Sequence, residues 1–182
     1  MNKSYKGKIL ISTPDHSGDI FSRSVVLIVE HTRQGAFGLI LNKLNFDLSS
    51  KIKEKLGYSV DIYEGGPVEK DKIFVIGKGN PPTDFFLTLD DNFYITEDME
   101  TVITNVIENK IEPDDVRFFS GYSGWESNQL ENEVKRKFWT IVEVFNIDYT
   151  SPDNYDLWRK IMQNLGGEYL LWANAPNNIS MN

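Results

Sequence analysis

The sequence predicts an α+β fold, a compact, mixed, barrel-like β-sheet with several flanking helices. Three observations predict it. Short apolar segments rich in β-branched residues outnumber segments with helical period. Hairpin-like pairs are interspersed with single helices. No regular strand–helix alternation runs through the chain, which argues against a doubly wound parallel sheet.

Residues 8–13, 25–30 and 36–41 read as the first three strands. Between the last two, His31-Thr32-Arg33-Gln34-Gly35 reads as a hairpin loop, with Gly35 supplying permissive backbone. Ile52 and Leu56, spaced i, i+4, set the apolar face of a helix over 49–56, capped by Asp47 or Ser49. Strands over 62–64 and 72–76 flank Gly65-Gly66-Pro67-Val68, a tight connection because Pro67 fixes its own φ and restricts Gly66. Residues 85–89 and 93–96 pair around Asp90-Asp91-Asn92. A helix over 97–109 carries acids in its first turn and a stripe of Val102, Ile103, Val106 and Ile107. Pro113 ends the connection to a strand over 116–120. Asn128 and Glu131 have capping-box spacing for a helix through Lys137, and 139–145 is a further strand. Ser151-Pro152 starts a last helix that packs Trp158, Ile161, Met162 and Leu165 and stops at Gly166-Gly167. The length suits a single domain over 1–182, with its core at about 7–166 and a loose tail over 174–182.

Composition narrows the function. There is no cysteine, which excludes disulfides, thiolate zinc sites and a cysteine nucleophile. The basic start leads into a strand rather than a signal-peptide core, and the longest apolar run, 25–29, is far short of a membrane span. A soluble cytoplasmic protein without membrane association is expected. The net charge of −8 disfavours a nucleic-acid binder, which carries a basic domain or face. The basic clusters Lys51, Lys53, Lys55 and Lys135-Arg136-Lys137 are interrupted by Glu54 or preceded by Glu131 and Glu133, and read as solvated helix faces.

Four blocks give the chain a family likeness. They are Gly7-Lys8-Ile9-Leu10-Ile11-Ser12-Thr13-Pro14 with Phe21-Ser22-Arg23-Ser24-Val25-Val26 and Glu30-His31; Gly35-Ala36-Phe37-Gly38-Leu39-Ile40-Leu41-Asn42; Gly65-Gly66-Pro67-Val68; and Gly121-Tyr122-Ser123-Gly124-Trp125 with Gln129-Leu130-Glu131 and Trp139. In this order and spacing the chain resembles the AlgH/YqgE family of bacterial proteins from about residue 7 to Gly166. It departs from that pattern at Leu44, where the family has proline, and after Trp139, where Thr140-Ile141-Val142-Glu143-Val144 replaces a proline-containing stretch. The resemblance implies a compact α+β structure around a barrel-like sheet. It brings the label of transcriptional regulator, but no activity, cofactor or catalytic residue.

Chemistry must therefore be sought residue by residue. Gly121-Tyr122-Ser123-Gly124-Trp125 fails as a nucleophile elbow because Trp125 stands where the second glycine belongs, and it reads as a tight turn packing Tyr122 and Trp125. His16 with Asp15 and Asp19 offers an oxygen-rich metal set, but the loop reads more simply as polar-capped turns, so no metal and no cofactor are expected. His31, at a strand end, is the candidate catalytic residue, set against a histidine that merely fixes its turn. Gly65 and Gly66 read either as an anion-binding nest or, preferably, as a close backbone crossing. Asn42 reads as bonding to backbone across a gap or as orienting a ligand, Arg23 as pairing with an internal carboxylate or receiving an anion, and Tyr122, Trp125 and Gln129 as a polar-aromatic wall. The ligand-binding candidates are therefore Arg23, His31, Asn42, Gly65, Gly66, Tyr122, Trp125 and Gln129. The expected function is a regulatory or binding module acting through a protein or a small anionic ligand. The alternative is an enzyme with His31 as acid/base and Arg23 and Asn42 in its pocket. Direct DNA binding ranks last, and oligomeric state is left open.

Overall fold

The structure is a computed structural model describing residues 4–13, 19–57, 59–144, 146–151 and 156–175. Among them the strands are β1 (Ile9–Ser12), β2 (Val25–Thr32), β3 (Gly35–Ile40), β4 (Ile62–Glu64), β5 (Val68–Lys78), β6 (Leu87–Thr88), β7 (Phe93–Thr96), β8 (Val116–Glu126) and β9 (Trp139–Val142). The helices are α1 (Phe46–Leu56), α2 (Met99–Ile107), α3 (Gln129–Lys135), α4 (Leu157–Leu165) and α5 (Tyr169–Asn174). The strands form one sheet in the order β6-β7-β5-β8-β3-β2-β1-β9, with β4 paired to β8 off this path. Pairing is antiparallel except between β4 and β8. The α+β class holds. The expected barrel-like closure does not, because pairing stops at the short strands β6 and β9 and leaves the sheet open.

Period-two alternation sends β1, β2 and β3 side chains to two covered faces. Ile9, Ile11, Val25, Leu27, Val29, Leu39 and Leu41 join a cluster roofed by Trp158, Ile161 and Met162 of α4 and Ala173 of α5. Leu10, Val26, Ile28 and Ile40 pack instead with Trp125, Leu130 and Trp139 under α3. A third cluster of Ile62, Val75, Val102, Val116 and Phe118 sits under α1 and α2. Burial on both faces explains why β2 is a continuous apolar run, and each fully buried Leu, Ile or Val contributes about 1.5–3 kcal/mol. No helix among the described residues is long and apolar enough to cross a membrane.

Several local expectations change. Strand β2 runs through Thr32, and a bulge at Val29, between the pairs Ile28–Gly38 and Glu30–Phe37, shifts its register by one residue. The hairpin turn therefore shrinks to Arg33-Gln34, and His31 lies in the ladder opposite Ala36. Helix α1 starts at Phe46, because the Asn45 side chain, not Asp47 or Ser49, accepts from the Leu48 amide. Asn128 adopts a left-handed φ of 60° with no side-chain cap, so the capping box does not form. The segment Gly121-Tyr122-Ser123-Gly124-Trp125 is not a turn: it continues β8, kinked at Gly121 (φ +67°), and pairs onward with β3. Helix α5 was not foreseen. Pro152, Phe145 and positions 176–182, on which the onset of the last helix, the end of β9 and the loose tail were read, lie outside the described residues.

Candidate functional site

The two ends of the β2–β3 hairpin hold different candidates. Six residues separate Val25 from His31, roughly 20 Å at about 3.3 Å per residue. At the turn end, the buried His31 ring stacks on Tyr5 with centroids 5.1 Å apart. Its Nδ1 accepts from the Tyr5 amide at 2.9 Å, so that nitrogen carries no proton. Nε2 then bears the hydrogen and donates to the Glu131 carboxylate at 3.1 Å. Both nitrogens are taken up by the protein, and the ring ties the first residues of the chain to α3.

Beside it, Glu133 binds two indoles. Its Oε2 accepts from Trp125 Nε1 at 2.8 Å and Trp139 Nε1 at 2.9 Å, while Oε1 accepts from Gln129 Nε2 at 2.9 Å. The Gln129 Oε1 accepts in turn from the Glu126 amide at 2.9 Å. Glu131, expected in a capping box, and Glu133 face inward, while Lys135, Arg136 and Lys137 stay exposed as the solvated-face reading expects.

At the far end, buried Asn42 accepts from the Val25 amide through Oδ1 at 2.9 Å and donates through Nδ2 to the Arg23 carbonyl at 2.8 Å. Arg23 Nη2 donates to the Ala175 carbonyl at 2.6 Å, and its guanidinium lies 5.3 Å from the Trp158 ring centroid. Burial and the neighbouring Arg159 lower its pKa. Lys43 Nζ donates to the Ser22 carbonyl at 2.5 Å; burial and then Arg23 lower its pKa against the opposing pull of Asp19. Arg23 and Asn42 are thus adjacent, and His31 is not with them.

Gly65 and Gly66 carry the chain from β4, on one flank of β8, across it to β5 on the other. A Cβ on Gly65 would lie 2.2 Å from the Gly121 carbonyl oxygen, and one on Gly66 2.1 Å from Tyr122 backbone atoms. The Gly65 amide donates to the Ser120 carbonyl at 2.8 Å. Its carbonyl accepts from the Ile40 amide at 2.9 Å and the Ser123 hydroxyl at 3.1 Å. This is a backbone crossing, with the Gly65 amide turned to protein rather than to an anion.

What the crossing leaves beside it is a cleft. Phe37, Phe74 and Tyr122 meet ring to ring, with centroids 5.2–5.9 Å apart. On one side Phe37 and Phe74, with Phe85, Phe86, Leu87, Ile95, Thr96 and Glu97, line a hollow of about 320 Å³. On the other, Phe37 and Tyr122 with Val68, Gly124, Trp125, Glu126 and Glu30 line an open cleft of about 610 Å³. Phe85 is 79% exposed and Phe86 41%. Of the sequence candidates, Tyr122 and Trp125 line this cleft and Gln129 stands at its edge; Arg23, Asn42 and His31 do not line it. Phe37, Phe74, Phe85 and Phe86 were missed as site residues. The available signal was the adjacent pair Phe85-Phe86 directly after the polar run Asn80-Pro81-Pro82-Thr83-Asp84, an unusual place for two aromatics.

Among the described residues no three His, Asp or Glu side chains gather to hold a metal. Asp15 and His16 of the metal alternative lie outside those residues. The arrangement of the described residues suits apolar recognition by a sheet face.

Comparison with known proteins gives a concordant result. The AlgH-like family profile matches residues 9–170. A UPF0301 protein of Cytophaga hutchinsonii is 35% identical over 173 residues, covering 94% of this chain and 95% of the relative. One from Bacteroides thetaiotaomicron is 34% identical over 174 residues, covering 94% and 88%. The solution structure of the AlgH protein from Pseudomonas aeruginosa superposes with a TM-score of 0.69 at 25% identity, covering 97% of each chain. A crystal structure of a Corynebacterium diphtheriae protein shares the fold, with a TM-score of 0.71 at 23% identity over 93% of this chain and 91% of that one.

Proposed function

The chain belongs to the AlgH-like family, and from that premise we propose that it is a regulatory binding module that holds an apolar segment of a protein partner in the Phe37 cleft. The observation that carries this reading is the exposed aromatic surface of Phe85 and Phe86 beside the Phe37–Phe74–Tyr122 cluster. Large exposed apolar side chains gathered at a preformed hollow mark interaction sites. The setting we propose is the cytoplasm, consistent with a chain that uses no cysteine. A role in transcription would then run through the partner, since the acidic chain offers DNA little. The enzyme reading has less support, because His31 spends both ring nitrogens on Tyr5 and Glu131 and sits apart from Arg23 and Asn42.

The test is to pan a displayed peptide library on the wild-type chain and on Phe85→Ser/Phe86→Ser, both exposed positions, of which Phe86 also meets the Tyr94 ring edge-on. Peptides enriched on the wild type alone, and bound by it in calorimetry, are expected. If no peptide distinguishes the two proteins while their melting temperatures agree, the cleft is not the binding surface.

A further inference from the structure

Strand β8 changes partners along its length. Its first part lies between β4 and β5. From Ser123 to Glu126 it pairs with β3 on one flank. On the other flank the ladder with β5 ends at Val68–Tyr122, because the Gly65-Gly66-Pro67 crossing delivers the chain to β5 only at that point. Among the described residues no strand pairs with Gly124, Trp125 or Glu126 on that flank.

The backbone on this flank is turned outward. The Glu126 amide donates to Gln129 Oε1 at 2.9 Å rather than into the β3 ladder. Strand alternation turns the N–H and C=O of exposed Gly124 to the same side. The Gln129 side chain thus occupies the place that a carbonyl of an added strand would take. Neither Pro nor Lys, the residues that commonly blunt an edge, occurs between Ser123 and Glu126. Beneath this edge lie Val68, Tyr122 and Phe37, an apolar floor for every second side chain of an incoming strand.

Charge narrows the occupant. Glu30 and Glu126, both exposed, stand at the rim, and neither pairs with a cation among the described residues. At the other end of the hollow Glu97 already pairs with Lys72 at 3.0 Å. A second copy of this chain, with its own charge of −8, is a poor match for such a rim.

We propose that the open flank of β8 takes an extended partner segment by β-strand addition, the segment carrying alternate apolar side chains for the Phe37–Tyr122 floor and flanking Lys or Arg for Glu126 at the edge and the acidic field of Glu30 behind it. This rests on the cleft being the binding surface, and adds the mode and the charge of what binds.

The probe is a fluorescein-labelled peptide, Lys-Phe-Thr-Val-Thr-Phe-Lys with blocked termini, measured by fluorescence anisotropy. It is compared with the same peptide bearing Glu for Lys, and with one N-methylated at alternate backbone amides. The lysine peptide is expected to bind, and to bind at least tenfold more weakly to Glu30→Lys/Glu126→Lys, which alters exposed positions only. The glutamate peptide is expected to bind at least tenfold more weakly to the wild type, and the N-methylated peptide to lose binding. Equal binding of the lysine and N-methylated peptides, both weakened by Phe85→Ser/Phe86→Ser, overturns strand addition but leaves the cleft as a binding surface. Equal binding of the lysine and glutamate peptides overturns the basic partner. Failure of all three peptides on a protein that still enriches cleft-dependent library peptides overturns the proposal alone.

Discussion

A methyl group at position 66 would collide with the Tyr122 carbonyl carbon and oxygen at 2.1 Å, and backbone on both sides leaves no room to yield. Gly66→Ala is therefore expected to destabilise at the upper end of the roughly 1–3 kcal/mol typical of overpacking. Gly57 is the contrast: its φ of +71° is left-handed, but nothing lies within 4 Å of an added Cβ. Gly57→Ala should cost only the backbone term, about 1 kcal/mol. Urea unfolding of the two variants checks the ranking, and equal midpoints would mean that the crossing is looser than its geometry implies. Asp98 carries a second prediction at this scale. Hydrogen bonds from the Thr83 hydroxyl at 2.8 Å and the Thr101 amide at 3.2 Å hold its pKa below the ordinary carboxyl value. A carboxylate favoured in the folded state stabilises fully above the unfolded pKa, about 3.9, and loses that contribution as pH falls through the lowered folded value. The melting-temperature gap between wild type and Asp98→Asn should therefore be widest near neutrality and close in acid. A gap independent of pH would show that the charge of Asp98 contributes nothing.

Helix α3 shows what an element needs beyond its own sequence. Seven residues are too few to hold a helix in water, so tertiary contacts must keep it in place. Its own Leu130 packs into the cluster of Leu10, Val26 and Ile28, His31 reaches Glu131, and two buried indoles reach Glu133. Glu133→Ala leaves the Trp125 and Trp139 N–H groups without their acceptor, at a cost of about 3 kcal/mol. Glu133→Gln, whose amide oxygen still accepts, should recover part of it. Chemical unfolding followed by tryptophan fluorescence measures both, and a Glu133→Ala variant as stable as wild type would show that water replaces the carboxylate freely. This carboxylate also marks the limit of legibility. The strands β1, β2, β3, β4 and β7 and helices α2 and α4 were readable because β-branched runs and apolar stripes are properties of neighbouring residues. The second half of β8 was not, since Gly121, Ser123 and Gly124 carry turn chemistry and become strand only through pairing with β3. Helix α5 is six residues long and follows Gly166-Gly167, which leaves no stripe to read. The cleft was the least visible, because Phe37, Phe74 and Tyr122 come from three different strands and only the sheet order brings them together. Tyr122, Trp125 and Gln129 were found near it because their motif was conspicuous, while Arg23 and Asn42 belong to the opposite end of the hairpin.

The whole molecule bears on DNA through where its charges lie, not only through their sum. Lys51, Lys53 and Lys55 are exposed on α1, over the cluster that includes Ile62 and Val75. Lys135, Arg136 and Lys137 are exposed at the end of α3, over the separate cluster that includes Leu10 and Val26. The two basic groups thus sit on helices that cover different parts of the sheet, and the chain as a whole carries −8. A protein that tracks phosphates needs its cations on one continuous surface, since each neutralised phosphate adds to affinity only if the next is also in reach. At about 100 μM, the weak end of the Kd range of non-specific DNA binders in physiological salt, this chain should leave a random-sequence duplex unretarded in a mobility-shift assay. Charge reversal of Lys51, Lys53 and Lys55 should change nothing in that assay. If the duplex is retarded, and the affinity falls linearly with the logarithm of salt concentration, several phosphates are being neutralised by a surface that the fold does not display in this state. A regulator acting on DNA directly would then replace one acting through the Phe37 cleft.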